Sequence, residues 1–323
     1  MRTGKSRHFN SKLIARTPAR EDNLKACFDS IYIQEAPHEY YRVLYGLDYI
    51  IPELAKGIFR NASRELERLR GRRIKVLDLG CSYGNNSILL RHPLDFHRLA
   101  QRYADLAHYD LSTEQIIELD RHYFQSWPRD LDVHCIGFDA SAPALSYAEA
   151  VGAIDGGIVA DLEHGELSPE QRAMLRDVDL IISSGCVGYI TATTFAKILD
   201  AIEGPKPWLA VFVLRMYSYA AIEDELARRG LVTEKLDGVT FVQRRFHSAQ
   251  ECESVLTSLA RMGIATQDKE DEGLLHAEFM LTRPPEDIQS VPMAHVASVS
   301  KGTQYAFGRR YRRDRENTLR LTR

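Results

Sequence analysis

The chain has 323 residues, enough to bury a substantial core in one large domain or in two smaller ones. Hydrophobic residues make up 44% and charged residues 27%, which is ordinary for a globular protein. The net charge of −3 does not favour a general grip on nucleic-acid phosphates, and no apolar run has the length of a membrane span. We therefore expect a cytoplasmic protein that binds neither DNA nor a membrane.

Cysteine and histidine are distributed in a way that argues against disulfides and metal sites. The five cysteines are odd in number and widely spaced, which is typical of free thiols in an intracellular chain. No cysteine pair has the spacing of a zinc knuckle, and the eleven histidines form no metal-binding helix motif. We expect no metal.

The first 70 residues divide into a basic arm and a helical segment. Residues 1–25 are polar with scattered arginines and lysines, which predicts a loosely held arm. Between residues 23 and 70, leucines and isoleucines recur at helical spacing. Residues 1–70 therefore form a unit that precedes the main domain.

A strand, a turn and a helix start follow one another in the run Val76-Leu77-Asp78-Leu79-Gly80-Cys81-Ser82-Tyr83-Gly84-Asn85-Asn86-Ser87. Gly80 lets the backbone turn sharply after the strand, and Gly84 lets a ligand approach the start of the helix. This order predicts a nucleotide cradle. Asp78 either contacts the ligand or holds the loop through hydrogen bonds, and the sequence does not decide between the two roles.

This run resembles motif I of the class I S-adenosyl-L-methionine-dependent methyltransferases, in which a short apolar strand and an acidic residue precede Gly-x-Gly-x-Gly or a relaxed version of it. Gly80 and Gly84 match, and Ser82 replaces the middle glycine. A sulfonium ligand tolerates that change, whereas the pyrophosphate of NAD needs the fuller glycine pattern. The resemblance implies S-adenosyl-L-methionine as cofactor, with Asp78, Gly80, Ser82, Tyr83 and Gly84 at its site.

The resemblance also implies a fold: an α/β, Rossmann-like, seven-stranded and mostly parallel sheet that ends in an antiparallel hairpin. It covers residues 71–283, with inserts at about 92–130 and 217–246, and leaves residues 284–323 as a basic C-terminal tail. In small-molecule members of the family a front segment often folds over the cofactor, so we expect a helical lid within residues 1–70. The polar and aromatic residues suited to it are Tyr32, Gln34, Glu35, His38, Glu39, Tyr40 and Tyr41. A surface helix with a few core tyrosines is the alternative.

The second strand is predicted over residues 133–138, followed by Asp139 and Ala140. A carboxylate at this strand end suits the two hydroxyls of a ribose, and capping of the next helix is the alternative, because Ser141 and Pro143 follow. Asp110 is an acid nearer to the glycine loop, but it follows a poor strand. We therefore assign the ribose contact to Asp139.

The distance between Gly80 and Asp139 indicates an insert. A ribose acid usually follows its glycine loop by roughly 20 residues, so about 40 residues are additional here. Helical periodicity predicts two helices, over residues 94–107 and 112–127, the second with a start signal at Ser112. They form either a dimer surface, and hence a homodimer, or a wall of the pocket.

The third and fourth strands complete the predicted ligand rim. Residues 157–160 end at Asp161, which suits the adenine amino group, and at Leu162, which suits the ring face; a plain loop acid is the alternative for Asp161. Residues 178–182 form a buried strand that ends at Ser183. Ligands of open α/β sheets lie across the carboxyl ends of the strands, so these residues fall on one edge.

The rest of the chain predicts a fifth strand, a charged helix and the closing hairpin. The strand covers residues 208–214, and the helix, residues 223–229, lies in the second insert beside a β-rich stretch, 239–242. The hairpin is predicted from a helix over 249–262, a short strand near 264–266 and a last strand over 274–281. The arginine-rich tail either is solvated or swaps between subunits, or else clamps an acidic partner or RNA.

The predicted reacting groups are few. Methyl transfer is an in-line displacement that needs alignment, exclusion of water, and a base only when the acceptor is protonated. The Asn/Asp-Pro-Pro-Tyr/Phe signature of DNA and amine methyltransferases is missing after the fourth strand, where no carboxylate or histidine stands. Ser184 and Tyr189 are the candidate pocket groups, and Arg215, after the fifth strand, suits an acidic substrate.

These observations predict a small-molecule methyltransferase of specialised metabolism, acting on a carboxylate-bearing or carbon/oxygen nucleophile. The absence of a strong base leaves an alternative within the same superfamily. In the azetidine-2-carboxylate synthases, which share this architecture, the amino group of the cofactor attacks its own γ-carbon and expels methylthioadenosine. A non-catalytic nucleotide- or RNA-associated module is the third option and depends on the basic tail.

Overall fold

The computed structural model describes residues 28–107, 109–304, 311–313 and 319–321. The predicted arm, residues 1–25, lies outside them, as do most of the arginines of the tail. Among the described residues, the strands are Lys75–Leu79 (β1), His134–Asp139 (β2), Gly156–Val159 (β3), Leu180–Ser183 (β4), Trp208–Leu214 (β5), Val232–Lys235 (β6), Val239–Arg245 (β7), Leu274–Arg283 (β8), Gly302–Gln304 (β9), Tyr311–Arg313 (β10) and Leu319–Leu321 (β11).

One sheet organises the described molecule. Its strand order is β3-β2-β1-β4-β5-β8-β7-β9, and β6 also pairs with β8. Strands β1 to β5 pair in parallel, while β8 runs antiparallel to β5, β6 and β7. The predicted Rossmann-like α/β fold is confirmed, and β6 and β9 extend the sheet beyond the seven strands expected. Strands β10 and β11 form a separate hairpin.

The helices cover both faces of the sheet. In the described residues they are Asp29–Tyr32 (α1), His38–Gly46 (α2), Ile51–Arg70 (α3), Asn85–Arg91 (α4), Phe96–Leu106 (α5), Thr113–Gln125 (α6), Ala142–Ala150 (α7), Pro169–Leu175 (α8), Ala192–Leu199 (α9), Ala220–Arg228 (α10), Ala249–Arg261 (α11), Pro285–Ser290 (α12) and Met293–Val296 (α13). One apolar cluster joins α3, α11 and α13 to one face, and another joins α8, α9 and α10 to the other.

Helix α3 belongs to the core of the domain. Its buried residues, such as Ile51, Ala55, Ile58 and Phe59, recur three and four positions apart and pack on the sheet. The helix ends at Gly71, whose φ of 63° is the left-handed cap conformation that favours glycine. Of the described residues in the predicted front unit, α3 supports the sheet, and residues 28–50 precede it as a segment that we call the covering segment.

The site is positioned by the reversal of strand order at β1. Its neighbours are β2 on one side and β4 on the other, so the connections after β1 and β4 leave in opposite directions. Such a switch point opens a crevice at the carboxyl ends of the strands. The turn after β1, residues 80–84, lies at this crevice, and we call it the glycine loop.

The inserts differ in what they contribute. The two helices predicted in the first insert are confirmed as α5 and α6, and the start of α6 is a capping box between Ser112 and Gln115. Residues 217–246, expected as a second insert, supply α10 together with the sheet strands β6 and β7.

The closing hairpin differs from its prediction. The short strand predicted near residues 264–266 is wrong, because these residues lead into a turn that a main-chain hydrogen bond closes from Lys269 to Thr266. The apolar run beginning at Val239 instead continues to Arg245 and pairs with β8. The hairpin is therefore β7 and β8 with α11 between them.

The first part of the predicted tail packs on the domain. Val291 and Val296 are buried in the core, and Trp208 Nε1 donates to Asp287 Oδ2 at 2.7 Å. No helix among the described residues combines the length and the apolar character that a membrane span requires.

Candidate functional site

The glycine loop has a backbone that explains its glycines. Gly80 and Gly84 have φ of 73° and 79°, and Ser82 between them has φ of 49°. A Cβ on Gly80 would lie 2.6 Å from Cys186 Cβ, and one on Gly84 would lie 2.9 Å from Ala153 Cβ. Gly80 therefore permits close contact with the segment after β4. Gly84 permits close packing against α7 and the turn that follows it, a reason that the sequence did not reveal.

Asp139, the last residue of β2, closes the loop. Its Oδ2 accepts from the main-chain N–H of Ser82 at 2.8 Å, and its Oδ1 accepts from that of Ser141 at 2.9 Å. Burial raises the pKa of Asp139, and these main-chain donors oppose the rise. Each carboxylate oxygen can accept one more hydrogen bond. Ala140 follows at the exposed end of the strand.

Asp78 lies beneath the loop and is fully buried. Its oxygens accept from Asn86 Nδ2 at 3.1 Å and from the main-chain N–H and Oγ of Ser87 at 3.1 and 2.9 Å. Burial raises its pKa to about 6, while the same hydrogen bonds lower it. This geometry ties β1 to the first turn of α4, which is the loop-holding role of the two that the sequence left open.

Asp161 and Leu162 follow β3 in different environments. Asp161 is exposed, with Oδ1 accepting from the main-chain N–H of Glu163 at 3.1 Å and Oδ2 lying 2.8 Å from His164 Nδ1. Leu162 is buried in the apolar cluster that includes Val187. The pair therefore presents a polar group at the surface beside an apolar wall.

The end of β4 joins a group of neighbouring polar side chains that we call the polar relay, consisting of Asp78, Asn86, Ser184, Tyr49 and Tyr40. Ser184 Oγ donates to Asn86 Oδ1 at 3.1 Å, and Asn86 in turn donates to Asp78. The hydroxyl of Tyr49 lies near those of Ser184 and Tyr40; burial raises its pKa to about 12, while these two neighbours oppose the rise. Ser183, just before, has its Oγ 2.9 Å from Cys186 Sγ.

The covering segment, residues 28–50, lies across the glycine loop. Tyr83 Oη donates to the main-chain oxygens of Ile31 and Gln34, both at 2.9 Å. Ser141 Oγ donates to the Tyr32 oxygen at 2.5 Å. Tyr41 Oη donates to Asn85 Oδ1. Loop, α4 and the helix after β2 are thus all fastened to the same short stretch of chain.

The first insert packs against the covering segment. Asp120 of α6 is fully buried and accepts from Arg102 Nε at 2.9 Å, from Tyr103 Oη at 3.0 Å and from Tyr147 Oη at 2.7 Å. The ring of Tyr41 stacks on that of Tyr103, with centroids 4.4 Å apart. The insert therefore packs against α2 of the covering segment.

Two of the side chains predicted to contact the substrate, Arg215 and Tyr189, lie in different environments. Arg215 is buried, and its guanidinium donates to Glu270 Oε2 at 2.5 Å and to the Ala265 oxygen at 2.7 Å. Burial raises the pKa of Glu270 to about 7, against the lowering effect of Arg215. The cation expected to meet an acidic substrate is thus held inside the protein. Tyr189 is 43% exposed and lies near Tyr32, whose pKa is raised mainly by burial and further by the hydroxyls of Tyr49 and Tyr189.

Sequence reasoning missed Tyr49, Asn85, Asn86 and Gln243. The asparagines stand directly after Gly84 in the motif, so their position at a helix start was a usable signal. Tyr49 and Gln243 carry no local pattern that marks them. Among the described residues, no group of three or more His, Cys, Asp or Glu is arranged to hold a metal ion.

No protein-family model matches the chain, and no curated protein sequence is similar to it. Solved structures resemble the chain at low identity. A TehB-like SAM-dependent methyltransferase from Corynebacterium glutamicum is 16% identical over 69% of this chain and 87% of its own, with a TM-score of 0.35.

Two further structures are similar to the same degree. A precorrin-6y C5,15-methyltransferase from Geobacter metallireducens is 12% identical over 69% of this chain and 86% of its own, with a TM-score of 0.33. The plantazolicin methyltransferase BpumL, in complex with a triazolic desmethylPZN analogue and SAH, is 11% identical over 79% and 98%, with a TM-score of 0.36. At these values the likeness carries no argument about what this chain binds or catalyses.

Proposed function

We propose that the protein is an S-adenosyl-L-methionine-dependent methyltransferase that acts on a small molecule. The observation that carries the proposal is the pairing of Ser82 with Asp139 at the reversal of strand order, because it places a carboxylate and the turn after β1 at one end of the crevice.

The residues at this crevice fit the cofactor. Asp139 retains acceptor capacity for ribose hydroxyls, while Asp161 and Leu162 suit the amino group and the face of the adenine. Ser82 Oγ is buried without a hydrogen-bond partner among the described residues, which leaves a polar atom of the loop for a ligand. Gly80, Tyr83, Gly84, Ala140 and Ser183 complete this set of residues.

When bound, the cofactor supplies a methyl group on a sulfonium centre, and the chain's own residues orient the acceptor and exclude water. The covering segment excludes water, since hydrogen bonds hold it over the loop. The polar relay supplies the hydroxyls of Ser184 and Tyr49. Tyr49 stays protonated near neutral pH, because its pKa is raised to about 12. It therefore orients a group rather than removing a proton from it.

This chemistry supports an acceptor that is already ionised. Within residues 183–189, all of them described, there is neither a histidine nor a carboxylate to act as a base. A carboxylate oxygen needs no deprotonation at neutral pH, since its ordinary pKa lies near 4. We therefore propose a carboxylate-bearing acceptor, positioned by the hydroxyls of Ser184, Tyr49 and Tyr189, since Arg215 is paired with Glu270.

The test is to incubate purified protein with S-adenosyl-L-methionine, with and without a panel of small carboxylic acids, and to follow products by mass spectrometry. We expect S-adenosylhomocysteine and a methylated acid only when an acceptor is present. Absence of calorimetric binding of both S-adenosyl-L-methionine and S-adenosylhomocysteine would overturn the proposal.

One observation favours a second candidate, cyclisation of the cofactor to azetidine-2-carboxylate with release of methylthioadenosine. The covering segment is fastened to the loop at Ile31, Tyr32 and Gln34, so the pocket is covered by the chain itself. An intramolecular displacement needs no entry for a second substrate. This reaction, in place of transfer, would be established if S-adenosyl-L-methionine alone gave methylthioadenosine and azetidine-2-carboxylate in equal amounts.

A further inference from the structure

Gln243 occupies a β-bulge in β7. Across from it on β8, Val242 pairs with His276 and Arg244 pairs with Leu275, so Gln243 is the extra residue. Its main-chain oxygen accepts instead from the N–H of Ile50, at 2.9 Å. Bulges re-aim side chains and are over-represented beside active sites. This one lies where the covering segment meets the sheet.

The side chain of Gln243 is 1% exposed, and its Oε1 has no hydrogen-bond partner among the described residues. A Cβ on Gly185 would lie 2.6 Å from Gln243 Nε2, so glycine at that position lets the amide lie against the segment after β4. Gly185 directly follows Ser184 of the polar relay. The amide of Gln243 therefore packs against the segment that carries Ser184, a group that we assign to the acceptor.

A buried acceptor without a donor lowers the stability of the folded protein, because water no longer pairs with it. Such an atom is explained when a ligand supplies the missing donor. The neighbouring cation does not oppose a positively charged donor, since Arg244 is paired with Glu251 through hydrogen bonds of 2.9 and 2.6 Å. The surroundings of Gln243 thus admit an ammonium as well as a neutral hydroxyl.

We propose that Gln243 Oε1 accepts a hydrogen bond from an N–H or O–H donor of the bound ligand. The proposal rests on the proposed function and deepens it, because it assigns a ligand-contacting residue outside the glycine loop. The donor is either the amino group of the cofactor or a donor group on the acceptor. Binding and kinetic measurements distinguish them.

The experiment compares the full chain with Gln243→Leu and Gln243→Glu, using calorimetry with S-adenosylhomocysteine and with its analogue that lacks the amino group. If the donor is the cofactor's amino group, Gln243→Leu weakens S-adenosylhomocysteine about tenfold or more and leaves the analogue unchanged, while Gln243→Glu retains binding. If the donor belongs to the acceptor, S-adenosylhomocysteine affinity is unchanged and the KM for the acceptor rises by a similar factor.

Thermal unfolding supplies a readout that does not need turnover. Gln243→Leu removes an unpaired polar atom, so we expect a Tm without ligand no lower than that of the wild type, and a smaller rise in Tm on adding S-adenosylhomocysteine or acceptor. Gln125→Leu, at the exposed end of α6, is the matched control. The inference is overturned if folded Gln243→Leu and Gln243→Glu both bind cofactor and acceptor as the wild type does. Failure of the wild type to bind either cofactor form would instead overturn the proposed function.

Discussion

The main-chain N–H of Ser82 donates to Asp139 Oδ2 at 2.8 Å, so the last residue of β2 holds the turn that follows β1. This carboxylate has two duties in our proposal, since it orders the loop and faces the ribose. Loss of either weakens the site, and the two effects differ in what they change. Loss of the loop contact lowers the stability of the protein without ligand, whereas loss of the ribose contact lowers the affinity for the cofactor.

Asp139→Asn tests this pair. One oxygen is replaced by an amide NH2 that must face a main-chain donor, either Ser82 or Ser141, so one hydrogen bond is lost. We expect S-adenosylhomocysteine to bind about tenfold or more weakly by calorimetry, in a protein that still folds by circular dichroism. Asp110→Asn, at an exposed acid nearer in sequence to the loop, is the control and keeps full affinity. Equal affinities for the two variants would contradict the assignment.

Asp78 makes stability depend on pH. Its pKa is raised from 3.8 to about 6, so between these values the folded protein binds more protons than the unfolded chain. The free energy of unfolding therefore falls as pH rises from about 4 to 6, by about 3 kcal/mol for a shift of this size.

Asp78→Asn removes that contribution, and its free energy of unfolding declines less steeply over the same interval. Urea unfolding of both proteins at a series of pH values measures the difference. Glu270, with a pKa raised to about 7, contributes equally to both curves and cancels. Parallel curves for the two proteins would refute the role of Asp78.

Tyr49→Phe tests the polar relay. The change removes a hydroxyl that lies near those of Ser184 and Tyr40 while keeping the ring. We expect kcat to fall about tenfold, with little change in S-adenosylhomocysteine affinity, whichever product is measured. Ser184→Ala has a similar effect, and the double variant falls by less than the product of the two, because both residues belong to one group of neighbouring polar side chains. Tyr109→Phe, at a ring that is 68% exposed, is the control. Independent effects of Tyr49→Phe and Ser184→Ala would count against the relay.

Gly84→Ala introduces both backbone strain and a steric clash, and a comparison with Gly71→Ala separates the two effects. The left-handed φ of 79° costs an alanine about 1–2 kcal/mol. The added methyl meets Ala153 Cβ at 2.9 Å and Ala148 Cβ at 3.3 Å, which forces α7 and the turn after it to shift. Gly71→Ala, with φ of 63° and nothing within 4 Å of its Cβ, carries the first penalty alone. We expect Gly84→Ala to lose more free energy of unfolding than Gly71→Ala. Equal losses would mean that α7 yields without cost.

The parts of the fold that depend on neighbouring residues were predictable. Strand β5 has the limits expected from its apolar run, Trp208–Leu214, and the start of α6 has the capping box that Ser112 and Gln115 indicate. Both signals lie within a few residues, where periodicity and capping chemistry act. The same holds for Asp139, which the apolar run before it places at the carboxyl end of β2.

Contacts between distant residues were not predictable. Arg215 looked available for a substrate because nothing near it in sequence neutralises it, yet Glu270 reaches it from a different loop. Tyr49 and Gln243 become part of the site only because the covering segment and a bulge in β7 come together. Such pairings depend on tertiary packing, which a single sequence does not encode in any local pattern.

The contact between the covering segment and β7 can form only late in the synthesis of the chain. Leu47 and Asp48 are held by Arg245, through a main-chain hydrogen bond of 2.8 Å and an ion pair of 2.8 Å. A nascent chain presents its tyrosine-rich front end long before the ribosome delivers the strand that fastens it, and contacts so distant in sequence form late. The attachment of the covering segment through Leu47 and Asp48 is thus a late step in maturation, because a polypeptide halted before residue 245 lacks the residue that holds them.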